Sequence, residues 1–225
     1  MKKFVVILLV VASVPLLMAE ERLLPQPPSR LGMDLITAIE SRKSFRAFTG
    51  NEISEGDLAT ILWSALGVTW RRGDKASIHG VDATTGATLG ERRATVYAWE
   101  PTITAYVLLP EGAFRYVPER HSLVQVSPSD LRDSAARQSF PGRAAVIILA
   151  AHGEILDQLP GPLEDKLAWA NVSAGLAAQN IYLAATALGY GTVLIWYVNR
   201  TSLPAVLGLS DQDHLLYALP VGSVK

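Results

Sequence analysis

Between Asn171 and Leu188 nearly every side of a predicted helix carries apolar or small residues, and Gly189 ends it. A helix of that composition cannot turn a broad face to water. It belongs at the centre of a domain or across an interface between two copies of the chain. Both placements fit the sequence, and the dimer is favoured. The rest of the chain has to supply the layers that cover this helix.

The chain has 225 residues, of which 49% are hydrophobic and 18% charged, so it has ample apolar material for a folded core. It has no cysteine, which excludes disulfides, thiolate zinc sites, iron–sulfur clusters and cysteine nucleophiles. A formal charge of −1 argues against a general nucleic-acid binder.

Met1-Lys2-Lys3 precedes an apolar run from Phe4 to Met18, followed by Glu20, Glu21 and Arg22. That is the pattern of a signal peptide over 1–19, cut after Ala19. The apolar run is shorter than the roughly 20 residues that span a bilayer, which favours the signal peptide over the alternative of an uncleaved anchor. Removing 19 of 225 residues leaves 206, with 18 basic against 21 acidic side chains. The mature chain is therefore expected to be exported, mildly acidic and free of the membrane.

Pro25, Pro27 and Pro28 make 20–31 read as an extended linker, followed by one α+β domain over 32–225. Asp34 caps a helix with Leu35, Ile36 and Ile39 on one face, and Ser54 caps another with Leu58, Ile61, Leu62 and Ala65. Residues 71–93 read as a long loop. Strands are expected at 103–109, 144–151, 192–198 and 215–221, with a hairpin over 113–117 and 122–126. Short helices are expected over 129–138 and from Ser202 to Gly208.

The four histidines lack the spacing of a metal site. HExxH, GxSxG, a Walker A loop and GxGxxG are all absent. Ser41-Arg42-Lys43-Ser44-Phe45-Arg46-Ala47-Phe48 gathers three cations and two hydroxyls, a donor set suited to a phosphate monoester. The same residues also fit a solvated helix end that complements the helix dipole.

That segment is similar to the Arg-Arg/His-Ser-x-Arg/Lys-x-Phe motif of the nitroreductase-like flavoprotein superfamily. Four further blocks follow in the family's order: 58–67, 105–123, 177–193 and 207–222. The blocks resemble most the exported branch akin to azoline-oxidising dehydrogenases. The resemblance implies an α+β sandwich, with a mostly antiparallel sheet flanked by helices. It also implies an intertwined homodimer with FMN at its interface, and hydride transfer through flavin N5 from NAD(P)H to a small-molecule acceptor. A quinone or a partner protein remains open as the donor.

By the same resemblance, Arg42, Lys43 and Ser44 would bind the FMN phosphate and ribityl chain, and Arg46 would lie near the pyrimidine edge. The backbone at Leu194, Ile195 and Trp196 would approach the ring. Tyr97 and Glu100 stand where the family has the Ser and Asn of Pro-Ser-Ala-x-Asn, and Ile195-Trp196 stands where the branch often has Arg-Gly. These departures keep a second reading open: a non-catalytic relative that retains the dimeric fold and binds another ligand or partner.

Overall fold

The computed structural model describes residues 20–70, 92–93 and 102–224. The expected signal peptide at 1–19, most of the expected loop at 71–93, and Tyr97 and Glu100 lie outside the described residues. Among the described residues no helix is long and apolar enough to cross a membrane.

The described elements in chain order are β1 (Glu21–Leu23), α1 (Leu35–Ser41), α2 (Glu55–Leu66), β2 (Val68–Trp70), β3 (Arg92–Arg93), β4 (Ile103–Leu109), β5 (Gly112–Val117), β6 (Ser122–Ser127), β7 (Ala145–Ala151), α3 (Gly153–Gln158), α4 (Leu163–Ala187), β8 (Tyr190–Thr192), α5 (Leu203–Val206) and β9 (His214–Ser223). Seven strands form one antiparallel sheet in the order β1-β6-β5-β4-β7-β9-β8, and β2 pairs with β3 apart from it.

Both faces of the sheet are covered, which explains the unbroken apolar run at 144–151. Ala145, Ile147 and Leu149 point to the layer of α2 and α4. Val146, Ile148 and Ala150 point the other way, against Phe140, Val193, Val198, Leu203 and Leu207. Strand β4 alternates in the same fashion, with Ala105 and Val107 on the helical side and Tyr106 and Leu108 opposite.

The helix caps form as the sequence predicts. Asp34 accepts from the amide and hydroxyl of Thr37, and these bonds hold its carboxyl below the ordinary carboxylate range. Ser54 accepts from the amide of Asp57 at 3.1 Å.

Helix α4 begins at Leu163, well before the expected Asn171, because Glu164 and Asp165 suit its positive end. Within the chain it is two-faced. Ala170, Ala174, Ala177, Ala178, Ile181 and Ala185 are buried, whereas Val172 and Leu176 are 44% and 43% exposed.

Two expected elements differ. No helix forms over 129–138. There the Asp130 side chain takes the amide and guanidinium of Arg132, and Arg132 reaches the carbonyls of Arg143 and Ala144. Local side-chain bonds of this kind compete with helix. The strand expected over 192–198 breaks after Thr192. Thr192 faces Val221 and Ile195 faces Ala218, so the register runs through and sets Val193 opposite Pro220. Proline brings no amide, and the ladder is interrupted there.

The proline-rich segment is partly docked, since β1 pairs with β6 at the sheet edge. His121 pins it. This residue has φ 49°, is buried, and lies between the Tyr116 hydroxyl at 2.8 Å from Nδ1 and the Pro25 carbonyl at 2.9 Å from Nε2. The neutral ring that donates from Nε2 and accepts at Nδ1 satisfies both partners. Burial lowers its pKa, outweighing the carbonyl bond. A depressed folded pKa means that the unfolded chain takes the proton first, so stability is lost as pH falls below ~6.5. Thermal unfolding followed between about pH 7.5 and 5.5 should show this loss, and His121→Asn, which tolerates the positive φ, should flatten it.

Candidate functional site

The cationic segment after α1 is laid against the β8 edge of the sheet. Phe45 donates its amide to the Thr192 carbonyl at 3.0 Å, and Ser44 forms a parallel bridge with Thr192. Farther along, Phe48 donates to Pro141 and Thr49 to Ser223. Two glycines make this approach possible. Gly191 and Gly222 are directly paired across β8 and β9. A Cβ on Gly191 would stand 2.4 Å from Val224 Cγ1 and 2.6 Å from the Phe45 ring, and one on Gly222 would stand 2.9 Å from Phe48. The two phenylalanines thus occupy space that any other residue pair would fill, and they fix the backbone that presents Arg42, Lys43, Ser44 and Arg46.

The opposite wall comes from the C-terminal part of α4. Tyr182 is buried, and its hydroxyl lies 3.1 Å from Ser44 Oγ. The same oxygen accepts the amide of Leu194 at 2.9 Å. The Arg42 guanidinium sits 5.3 Å from the Tyr182 ring centroid, within cation–π range, and the Lys43 ammonium sits 5.0 Å from the Phe45 ring. Four parts of the chain therefore meet at one point: the segment 42–45, the end of α4, the β8 edge and the stretch that follows it. The Thr192 hydroxyl, also buried here, has no hydrogen-bond partner among the described residues.

Charge is concentrated in the segment. Arg22, Arg120, Arg132 and Arg143 each form an ion pair with a carboxylate. Arg42, Lys43 and Arg46 have none among the described residues; Arg30, Arg115, Arg137, Lys166 and Arg200 share that, but only here do three such cations fall within five described residues. Lys43, Ser44 and Arg46 are exposed and Arg42 is half-buried. Like charges gathered without counter-charges repel, and a bound anion relieves that repulsion.

Of the backbone groups at 194–196, several are already committed. The Leu194 amide goes to Tyr182. The Ile195 amide and carbonyl both bond Ala218, and the Ile195 side chain is buried. The Trp196 carbonyl accepts from Val198 and from Arg200, whose guanidinium also holds the carbonyls of Leu215 and Leu216. The Trp196 amide has no partner among the described residues. The Trp196 side chain is 65% exposed and tilts against Tyr197 at 5.9 Å, so it does not turn into the chain's own core.

The structure thus gathers Arg42, Lys43, Ser44 and Leu194, with Arg46 farther along the same exposed segment. Ile195 serves the core through its side chain. Tyr182, the Phe45/Gly191 and Phe48/Gly222 contacts, and Arg200 were not singled out as site residues by sequence reasoning. For Tyr182 a signal exists, because a phenol in an alanine-rich helix must find a partner for its hydroxyl. Among the described residues no group of His, Asp and Glu could hold a metal ion.

The Nitroreductase family profile matches residues 39–223, a span that includes every described part of this site. The chain belongs to the nitroreductase family. A relative in Methanocaldococcus jannaschii, itself classed with the nitroreductases, is 30% identical over 186 residues, 80% of this chain and 86% of its own. The solved structure of a Ralstonia eutropha protein of the same class superposes with a TM-score of 0.77 at 26% identity, over 91% of this chain and 90% of that one. More distant structures share the fold. One from Desulfovibrio desulfuricans, solved with FMN, has a TM-score of 0.51 at 18% identity and covers 84% of each chain. An NADPH:FMN oxidoreductase from Vibrio harveyi, solved with NAD+, has a TM-score of 0.53 at 19% identity, over 84% of this chain and 68% of that one. The α+β fold with a central antiparallel sheet is the family's.

Gly191→Val would drive a side chain into Val224 and Phe45 and disturb the seating of the cationic segment on β8. Overpacking of this kind should cost roughly 1–3 kcal/mol in urea unfolding. Gly175→Ala, on α4 with open space at its Cβ, should not destabilise the chain.

Proposed function

We propose that this chain is an exported FMN-dependent oxidoreductase of the nitroreductase type, active as a homodimer on a small-molecule acceptor with NAD(P)H as donor. The observation that carries the reading is the uncompensated cation cluster beside Ser44, a donor set with the chemistry of a phosphate monoester site. FMN bound in related structures supports the choice of anion, and the NAD+ complex of the Vibrio harveyi enzyme supports the donor.

In this reading Arg42, Lys43 and Ser44 hold the phosphate, and Arg46 sets a positive charge against the pyrimidine edge of the ring. The Trp196 amide is the backbone donor left to meet the ring. Bound FMN supplies hydride acceptance and release at N5. The protein supplies orientation and electrostatics. Tyr97 and Glu100 stand at the positions of the family's Ser and Asn, which the resemblance sets near the flavin.

A second copy of the chain covers the outward apolar side chains. Leu35, Ile36 and Ile39 on α1 are 61%, 64% and 48% exposed, α1 packs against α4, and Val172 and Leu176 on α4 are also exposed. An apolar surface of this extent favours burial against a partner. Export rests on the sequence at 1–19, and an intact mass lacking those residues would support it.

Titration of the purified protein with FMN should quench flavin fluorescence to saturation, with one flavin per chain. Arg46→Ala should weaken binding about tenfold or lower the flavin's reduction potential. Sedimentation equilibrium should give a dimer, and a Leu176→Glu, Ile36→Glu double variant should sediment as a monomer. A colourless protein that binds no FMN would exclude the flavin reading.

A further inference from the structure

Resting on the flavin reading, we infer that Tyr182 is a positioning residue: its buried hydroxyl turns the Ser44 hydroxyl outward as a donor to the phosphate. The direction follows from the hydrogen bonds. The Tyr182 oxygen accepts the Leu194 amide at 2.9 Å. Its own proton needs an acceptor, and Ser44 Oγ, at 3.1 Å, is the acceptor in reach among the described residues. Ser44 is exposed, and with its oxygen engaged by Tyr182 its proton is free to point to an anion in front of the cation cluster. The bonds run Leu194 N–H to Tyr182 O–H to Ser44 O–H to phosphate, every dipole aligned toward the negative charge. Aligned hydrogen bonds polarise and strengthen one another.

The same side chain places a second phosphate-binding group. Arg42 rests on the Tyr182 ring at 5.3 Å, which holds the guanidinium beside Ser44 and limits its freedom before any ligand arrives. Tyr182 also settles an edge-strand amide. Beyond the break opposite Pro220, the Leu194 amide points away from β9, and the phenol is its partner. One hydroxyl therefore fixes both the phosphate cradle and the backbone that leads to Trp196.

The test separates hydroxyl from ring and phosphate from flavin. Wild type, Tyr182→Phe, Ser44→Ala and the double variant are titrated with FMN and with riboflavin, which lacks the phosphate. Thermal unfolding of the flavin-free proteins is recorded in parallel. Tyr182→Phe keeps the ring under Arg42 and should lose about tenfold in FMN affinity while riboflavin affinity changes less than about twofold. Ser44→Ala should lose a similar factor, and the double variant should lose little more than either alone, because the two hydroxyls act in series.

Tyr182→Phe binding FMN as tightly as wild type would overturn the inference and leave the flavin reading standing. Equal losses for FMN and riboflavin would also overturn it, since a merely structural role predicts that result. Wild type binding neither flavin would overturn the flavin reading itself.

Discussion

Gly191 and Gly222 face one another across the β8–β9 ladder and leave a trough with no side chains of its own. Phe45 and Phe48 fill it together with Val224, and the candidate site depends on that contact. The segment between α1 and α2 has little regular structure to hold it. It is held instead by two aromatic rings seated on glycine and by main-chain bonds from Phe45, Phe48 and Thr49. Its three cations repel one another and pair with no carboxylate among the described residues. The apolar seating and the main-chain bonds offset that repulsion, so the charges stand ready in front of the sheet edge.

Pro220 supplies the second half of the arrangement. A regular β8 would have carried its ladder on to Val198 and left a plain edge. The missing amide opposite Val193 interrupts pairing, and the chain rejoins β9 only at Ile195. In the gap, Thr192 and Leu194 turn their outward backbone groups to Phe45 and Tyr182. The interruption that weakens the strand lets helix α4 and the cationic segment meet. On its outer side the same helix leaves Val172 and Leu176 exposed, as α1 leaves Leu35, Ile36 and Ile39.

Much of the fold could be read from periodicity. The continuous run at 144–151 announced a strand covered on both faces, and β7 alternates its residues between two cores. Asp34 and Ser54 marked their helices because a side-chain oxygen must meet the first free amides. The cation-rich segment was visible as a donor set, and its order with later blocks pointed to the family. What escaped was long-range. Nothing local in 129–138 tells that Arg132 will bond the carbonyls of Arg143 and Ala144. Nothing in 192–198 tells that Pro220 will lie opposite. Tyr182 read as part of an apolar helix, and its role emerges only when Ser44 and Leu194 arrive from either side.

The central claim is that Arg42, Lys43 and Ser44, presented by the phenylalanine–glycine contacts, grip the phosphate of FMN. The most direct measurement is the phosphorus-31 resonance of FMN added to the purified protein. The account predicts a shifted, broadened phosphate signal that returns toward its free position in an Arg42→Ala, Lys43→Ala variant. A phosphate signal left at its free position, with the flavin ring resonances shifted by binding, would contradict it.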